Sequence, residues 1–273
     1  MGKTLAIWSP SKKCGRTIIT YNLVQTFAKL LPDKKILVLC VNMNYGNLLP
    51  LFDVRRDELT LEKAVNYKLS ETAEDLDYTK VLAQQGNLYF MGSQNTTLNY
   101  ANRNLATYER VINELKATFD LIVIDTCAGK NIPLSNMVID NCTDALVNVL
   151  MQDMDIIESD FTHEKAIAYV INCYREIYPT SADIKSKYAI HNIFELPSCD
   201  IMQDMKNKKR LDIYSQYETD YSIQNNEIAL HILKKLNFKP EDNALAEHKP
   251  KKDKKEKKAK KLKNESKKGG WLW

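Results

Sequence analysis

Five short runs of nearly unbroken apolar character, at 4–8, 35–41, 121–125, 144–150 and 167–172, recur along this sequence with longer stretches between them. Runs of that length, rich in Ile, Leu and Val and lacking strict polar alternation, are the signature of strands buried on both faces. The intervening stretches carry a different period. Residues 16–31 set Ile19, Leu23, Phe27 and Leu30 on one side of a helix, and residues 104–118 do the same with Leu105, Tyr108, Ile112 and Leu115. Residues 60–69 and 224–236 read as further helices, and shorter strands fit at 87–91 and 190–195. Strands that alternate with helices are joined by crossovers, which makes neighbouring strands parallel. The expected fold class is α/β, a mostly parallel sheet flanked by helices.

The apolar pattern stops near Phe238, so the expected organisation is one folded domain, 1–238, followed by a disordered tail, 239–273. Between Lys249 and Lys268 twelve lysines face three acids, a local charge of +9; of the total +4, the rest of the chain therefore carries −5. The six cysteines form no CxxC pair and the four histidines are dispersed, which argues against a zinc site and for reduced thiols. The opening MGKTLAIW lacks the apolar core of a signal peptide, and no run approaches the roughly 20 apolar residues that span a bilayer. A cytoplasmic location is expected, with the tail offering a peripheral hold on the inner face of a membrane.

Two loops carry the chemistry. The first run leads into WSPSKKCGRT (8–17), which in turn opens the helix at 16. A loop between a strand and a helix N-terminus can turn its backbone N–H groups toward phosphate oxygens. Gly15, Arg16 and Thr17 stand where such loops place a glycine, a lysine and a magnesium-binding hydroxyl. The second stretch, FDLIVIDTCAG (119–129), is an apolar strand ending in Asp125. A carboxylate there is suited to hold magnesium through water, opposite Thr17. A chance surface loop and a strand-end Asp capping a turn are the plainer readings of each stretch alone.

Together these stretches resemble the MinD/ParA family of deviant P-loop ATPases, including its CpaE/TadZ-like branch. Its loop reads K-G-G-x-G-K-[ST], and its second motif reads IDTPxG. The resemblance continues in order through KKILVLCVNMNYGNL (34–48), similar to the second strand and switch I, and GNLYFMGS (86–93). YVINCY (169–174) is similar to the strand ending in an adenine-contacting Asn, here Asn172, and FELPSCD (194–200) to the loop near the base, with Pro197. The resemblance implies ATP or ADP cradled by Lys13, Cys14, Gly15, Arg16, Thr17 and Ile18. It also implies magnesium held by Thr17 and Asp125, and a homodimer.

The departures from the family pattern bear on activity. Ser11 replaces the lysine that reaches across the dimer, Lys12 and Lys13 replace two glycines, and Arg16 replaces the loop lysine. Aligned on Gly46-Asn47-Leu48, Cys40 and Asn42 fall where the family has aspartates. Asn42 can hydrogen-bond to water but cannot accept its proton. The expectation is a degenerate site in which binding is kept and hydrolysis is weakened or lost, with no residue assigned as catalytic. An unconventional working ATPase and a pseudo-ATPase that binds no nucleotide are the competing readings.

The tail joins dense lysine, including Lys257, Lys258, Lys260 and Lys261, to Trp271 and Trp273. A polybasic patch with a weak aromatic anchor suits an anionic membrane surface. Polylysine also binds nucleic acid by counterion release, but aromatics interleaved with the lysines, the mark of base stacking, are missing. A membrane surface or membrane-bound machine of pilus or secretion type is therefore preferred as partner. DNA, as in ParA-like partition, and a purely solubilising tail remain as alternatives.

Overall fold

The computed structural model describes residues 1–42, 48–54, 60–70, 78–93, 97–153, 156, 161–214, 217–241 and 251–252. Eight strands form one sheet: β1 (Lys3–Trp8), β2 (Ile36–Cys40), β3 (Ala83–Gln85), β4 (Leu88–Gly92), β5 (Leu121–Asp125), β6 (Ala145–Met151), β7 (Ala166–Tyr174) and β8 (Ile193–Pro197). Their order is β3-β4-β2-β5-β1-β6-β7-β8. Every neighbouring pair is parallel except β3–β4. β1 lies at the centre between β5 and β6, and Ile7 is in register with Asp125.

Side-chain alternation sorts the strands onto two layers. Leu5, Ile7, Val38 and Val123 pack with Phe27 and Leu30 of helix α1 (Arg16–Leu30) and with Ile228 and Ile232 of the helix Asp220–Lys235. Leu37, Leu39, Ile122 and Ile124 face Tyr108, Ile112 and Leu115 of the helix Leu105–Thr118 on the other side. Complete burial of each such side chain is worth about 1.5–3 kcal/mol. Strands covered on both faces explain why the sequence runs are apolar almost without a break.

The seven strands expected from the sequence are present with shifts of up to three residues at their ends. β3 is an addition, an antiparallel edge piece too short and polar to show a period. The last helix starts at Asp220 rather than 224, because Thr219 and Ser222 form a capping box ahead of the apolar face. Helices at Ser181–Tyr188 and Asp200–Asn207 are additions as well; the first buries only Ile184 and the second buries nothing fully.

Just past the expected boundary at 238, Glu241 N donates to Leu30 O. Lys251–Lys252 pair in parallel with Tyr217–Glu218. The tail residues singled out from the sequence (Lys257, Lys258, Lys260, Lys261, Trp271 and Trp273) lie outside the described residues, as do Gly46 and Asn47.

Candidate functional site

The central strand β1 delivers its loop to the carboxyl end of the sheet, where open α/β sheets bind ligands. Two left-handed residues shape that loop, Lys13 at φ 64° and Gly15 at φ 84°. Gly15 caps α1, and its carbonyl accepts from the amides of Ile18 and Ile19. A Cβ at Gly15 would stand 2.2 Å from Nδ2 of Asn172. Lys13 keeps a backbone that glycine adopts freely, which costs an L-residue roughly 1–2 kcal/mol. Strain of this kind persists only where the surroundings impose it, and it concentrates at binding loops.

The loop borders a cleft of about 520 Å³. Lys12, Lys13, Arg16 and Lys206 line it, together with Thr17, Ile18 and Asn42, and among the described residues no carboxylate does. Helix α1 opens onto the cleft without an acid in its first turn. Its unsatisfied N–H groups and the surrounding cations favour an anion. Lys206, from the helix Asp200–Asn207, was not singled out in the sequence, because nothing local ties it to residue 16.

Under the loop sits a buried ion pair. Arg16 Nε is 2.6 Å from Asp125 Oδ1, with the two side chains 6% and 0% exposed. Thr17 Oγ1 donates to the other carboxylate oxygen at 3.2 Å. Burial pushes the Asp125 carboxyl upward, opposed by the charge and hydrogen bonds of Arg16 and Thr17. Burial also works against the Arg16 guanidinium, but attraction to Asp125 outweighs it and raises its pKa. Thr17 and Asp125 thus meet, as the sequence suggests, with the guanidinium of Arg16 joined to them.

Asn42 is buried in the cleft wall, where Sγ of Cys127 lies 3.7 Å from its Oδ1. Cys40 is in register with Asp125, and burial, then that carboxylate, pushes its thiol far up, so it carries no thiolate. Asn172 uses its Nδ2 to hold the loop, donating to Cys14 O at 2.9 Å. Pro197 lies at the end of β8 and lines a second cleft of about 450 Å³ with Tyr174, Glu195 and Glu227. The structure therefore gathers residues 13–18, Asn42 and Asp125 around one place, braces them with Asn172, and sets Pro197 apart.

The loop suits a polyphosphate: it has the left-handed turns at Lys13 and Gly15, the helix terminus and the cationic lining. The donor set suits magnesium poorly. That ion demands near-octahedral oxygen ligation, and both Asp125 oxygens already receive hydrogen bonds, one of them from a fixed cation.

No protein-family model matches the sequence, nor does any curated protein sequence. Solved structures do match in three dimensions. A ParA family ATPase from Chlorobium tepidum superposes with a TM-score of 0.69 at 15% identity, covering 85% of this chain and 100% of that one. MinD in the MinC:MinD complex of Aquifex aeolicus gives 0.67 at 15% identity, covering 85% and 96%. Septum site-determining MinD of Pyrococcus horikoshii, complexed with Mg-ADP, gives 0.66 at 15% identity, covering 87% and 98%. At such identities the likeness is one of architecture, and it extends over nearly the full length of each of these proteins: this chain has the P-loop fold of the MinD and ParA ATPases.

Proposed function

We propose that this chain is a nucleotide-binding spatial organiser that holds ATP or ADP with little or no hydrolysis, a degenerate member of the MinD/ParA group close to its CpaE/TadZ-like branch. The observation that carries this reading is the loop backbone. Lys13 stays left-handed at φ 64° although its glycine is gone, so the cradle's shape has outlived the residue that makes it easy. The likeness to a MinD complexed with Mg-ADP supports nucleotide as the ligand. Asn42 in the cleft wall supports loss of turnover, because a carboxamide cannot take a proton from attacking water. Calorimetric titration with ATP is expected to show binding, and a phosphate-release assay on the same sample no steady release. Sustained release abolished by Asp125→Ala would overturn the reading in favour of a working ATPase, and absence of heat would favour the pseudo-ATPase.

The partner follows from the tail and from the fold. The likeness to MinD in complex with MinC supports a protein partner. Ser11 in place of the trans-acting lysine argues that any homodimer forms without depending on nucleotide. The lysine-rich end is assigned to an anionic membrane surface, or to a membrane-bound machine of pilus or secretion type. No helix among the described residues is long and apolar enough to cross a membrane; the proposed hold is peripheral. Each lysine near such a surface contributes on the order of 1 kcal/mol. Full-length protein is expected to float with phosphatidylserine vesicles at low salt, and truncation after 248 to abolish flotation. Failure to float, with steeply salt-dependent binding to duplex DNA, would select the partition reading instead.

A further inference from the structure

We propose that the anion taken by this cleft is a polyphosphate bound without a divalent metal, the Arg16 guanidinium supplying the positive charge that a metal would bring. The inference rests on the reading of the cleft as a nucleotide site and narrows its ligand to the metal-free form. Four observations carry it. Arg16 Nε lies 2.6 Å from Asp125 Oδ1, so the cation is already against the carboxylate. Thr17 donates to the second oxygen, so each oxygen of that carboxylate accepts a hydrogen bond. Both members of the pair are buried, and separating them would strand a charge away from water. The remaining charge at the cleft is also cationic, from Lys12, Lys13 and Lys206.

A divalent ion entering here meets a fixed like charge, and among the described residues lining the cleft it finds no carboxylate. Among the described residues no cluster of three or more His, Cys, Asp or Glu offers another place for it. An oxyanion meets the reverse: amides at the start of α1, three lysines, and a guanidinium whose charge is shared with Asp125. Burial of Asp125 adds to this, because an unpaired carboxylate there would be poorly solvated. The covalently held cation makes the site's charge balance independent of metal supply.

The test is calorimetric titration of the full-length protein with ATP and, separately, with pyrophosphate, each in buffer containing EDTA and in buffer containing excess magnesium. ATP affinity is expected to differ by less than about threefold between the two buffers, well under the tenfold that 1.4 kcal/mol represents. Binding at least about tenfold tighter with magnesium would overturn the metal-free assignment while leaving the nucleotide reading intact. Pyrophosphate binding in EDTA with no response to ATP would overturn the nucleotide reading and support a metal-free polyphosphate site. Silence with both ligands in both buffers would overturn both. Arg16→Gln, which uncovers Asp125, is expected to bring in a magnesium dependence of about tenfold or more. A folded Arg16→Gln protein equally indifferent to the metal would overturn the role given to Arg16.

Discussion

Asp125→Ala is expected to destabilise the protein by about 3–5 kcal/mol, because it leaves the buried Arg16 guanidinium without its counter-ion. The geometry behind that figure is a 2.6 Å contact between side chains 6% and 0% exposed. For a body of this size the loss corresponds to a fall in Tm of about 10 °C. Asp125→Asn keeps an oxygen for Arg16 and is expected to lose less. The double variant Arg16→Met/Asp125→Leu removes both charges, replaces them with apolar volume, and is expected to recover most of the loss, since apolar replacement of a complete buried pair is often neutral. Urea unfolding of the three variants measures this, with the slope m held as the check on two-state behaviour. An Asp125→Ala protein within 1 kcal/mol of the wild type would show that the pair contributes nothing, as exposed pairs commonly do.

The same pair marks the limit of what the sequence discloses. LIVID at 121–125 is readable as a strand because all five residues are buried and the first four form a continuous apolar run. Its neighbours in the sheet are readable on the same ground. Ala83–Gln85 is not, because an edge strand of three residues with two glutamines has no buried face to announce it. Ser181–Tyr188 buries one residue, so periodicity is silent there; its signal is the Thr180–Asp183 capping box, a local device that a search for apolar faces passes over. In the site, residues 13–18 are legible because the loop's chemistry is contiguous in sequence. The direction of the Arg16 side chain is not, since it depends on a carboxylate 109 residues away. A planar guanidinium reaching down to a strand-end acid and an ammonium reaching out to phosphate are written with similar letters. Packing decides between them. Asn172 illustrates the same point: its position at the end of β7 is readable, but its hydrogen bond to Cys14 O is a property of the assembled sheet end.

Gly15→Ala is expected to weaken ATP binding by about 30–100-fold, through the shape of the loop rather than its charge. Gly15 sits at φ 84°, where an alanine costs roughly 1–2 kcal/mol. Its Cβ would also fall 2.2 Å from Asn172 Nδ2. The Asn172 side chain can move aside, but only by giving up its bond to Cys14 O, worth about 1 kcal/mol. Together the strained backbone and the lost brace put the cradle about 2–3 kcal/mol above its relaxed alternatives, and binding weakens by the fraction of molecules still in the competent shape. Adding Asn172→Ala separates the two causes. If the clash matters, Gly15→Ala/Asn172→Ala binds no worse than Gly15→Ala alone, and the two losses are non-additive. If the losses simply add, Asn172 acts on the ligand directly, as an adenine contact would, and not as the brace of the loop. Calorimetric titration of the wild type and the three variants distinguishes these outcomes. A Gly15→Ala protein that binds ATP as the wild type does would mean that the left-handed turn is not what receives the phosphates.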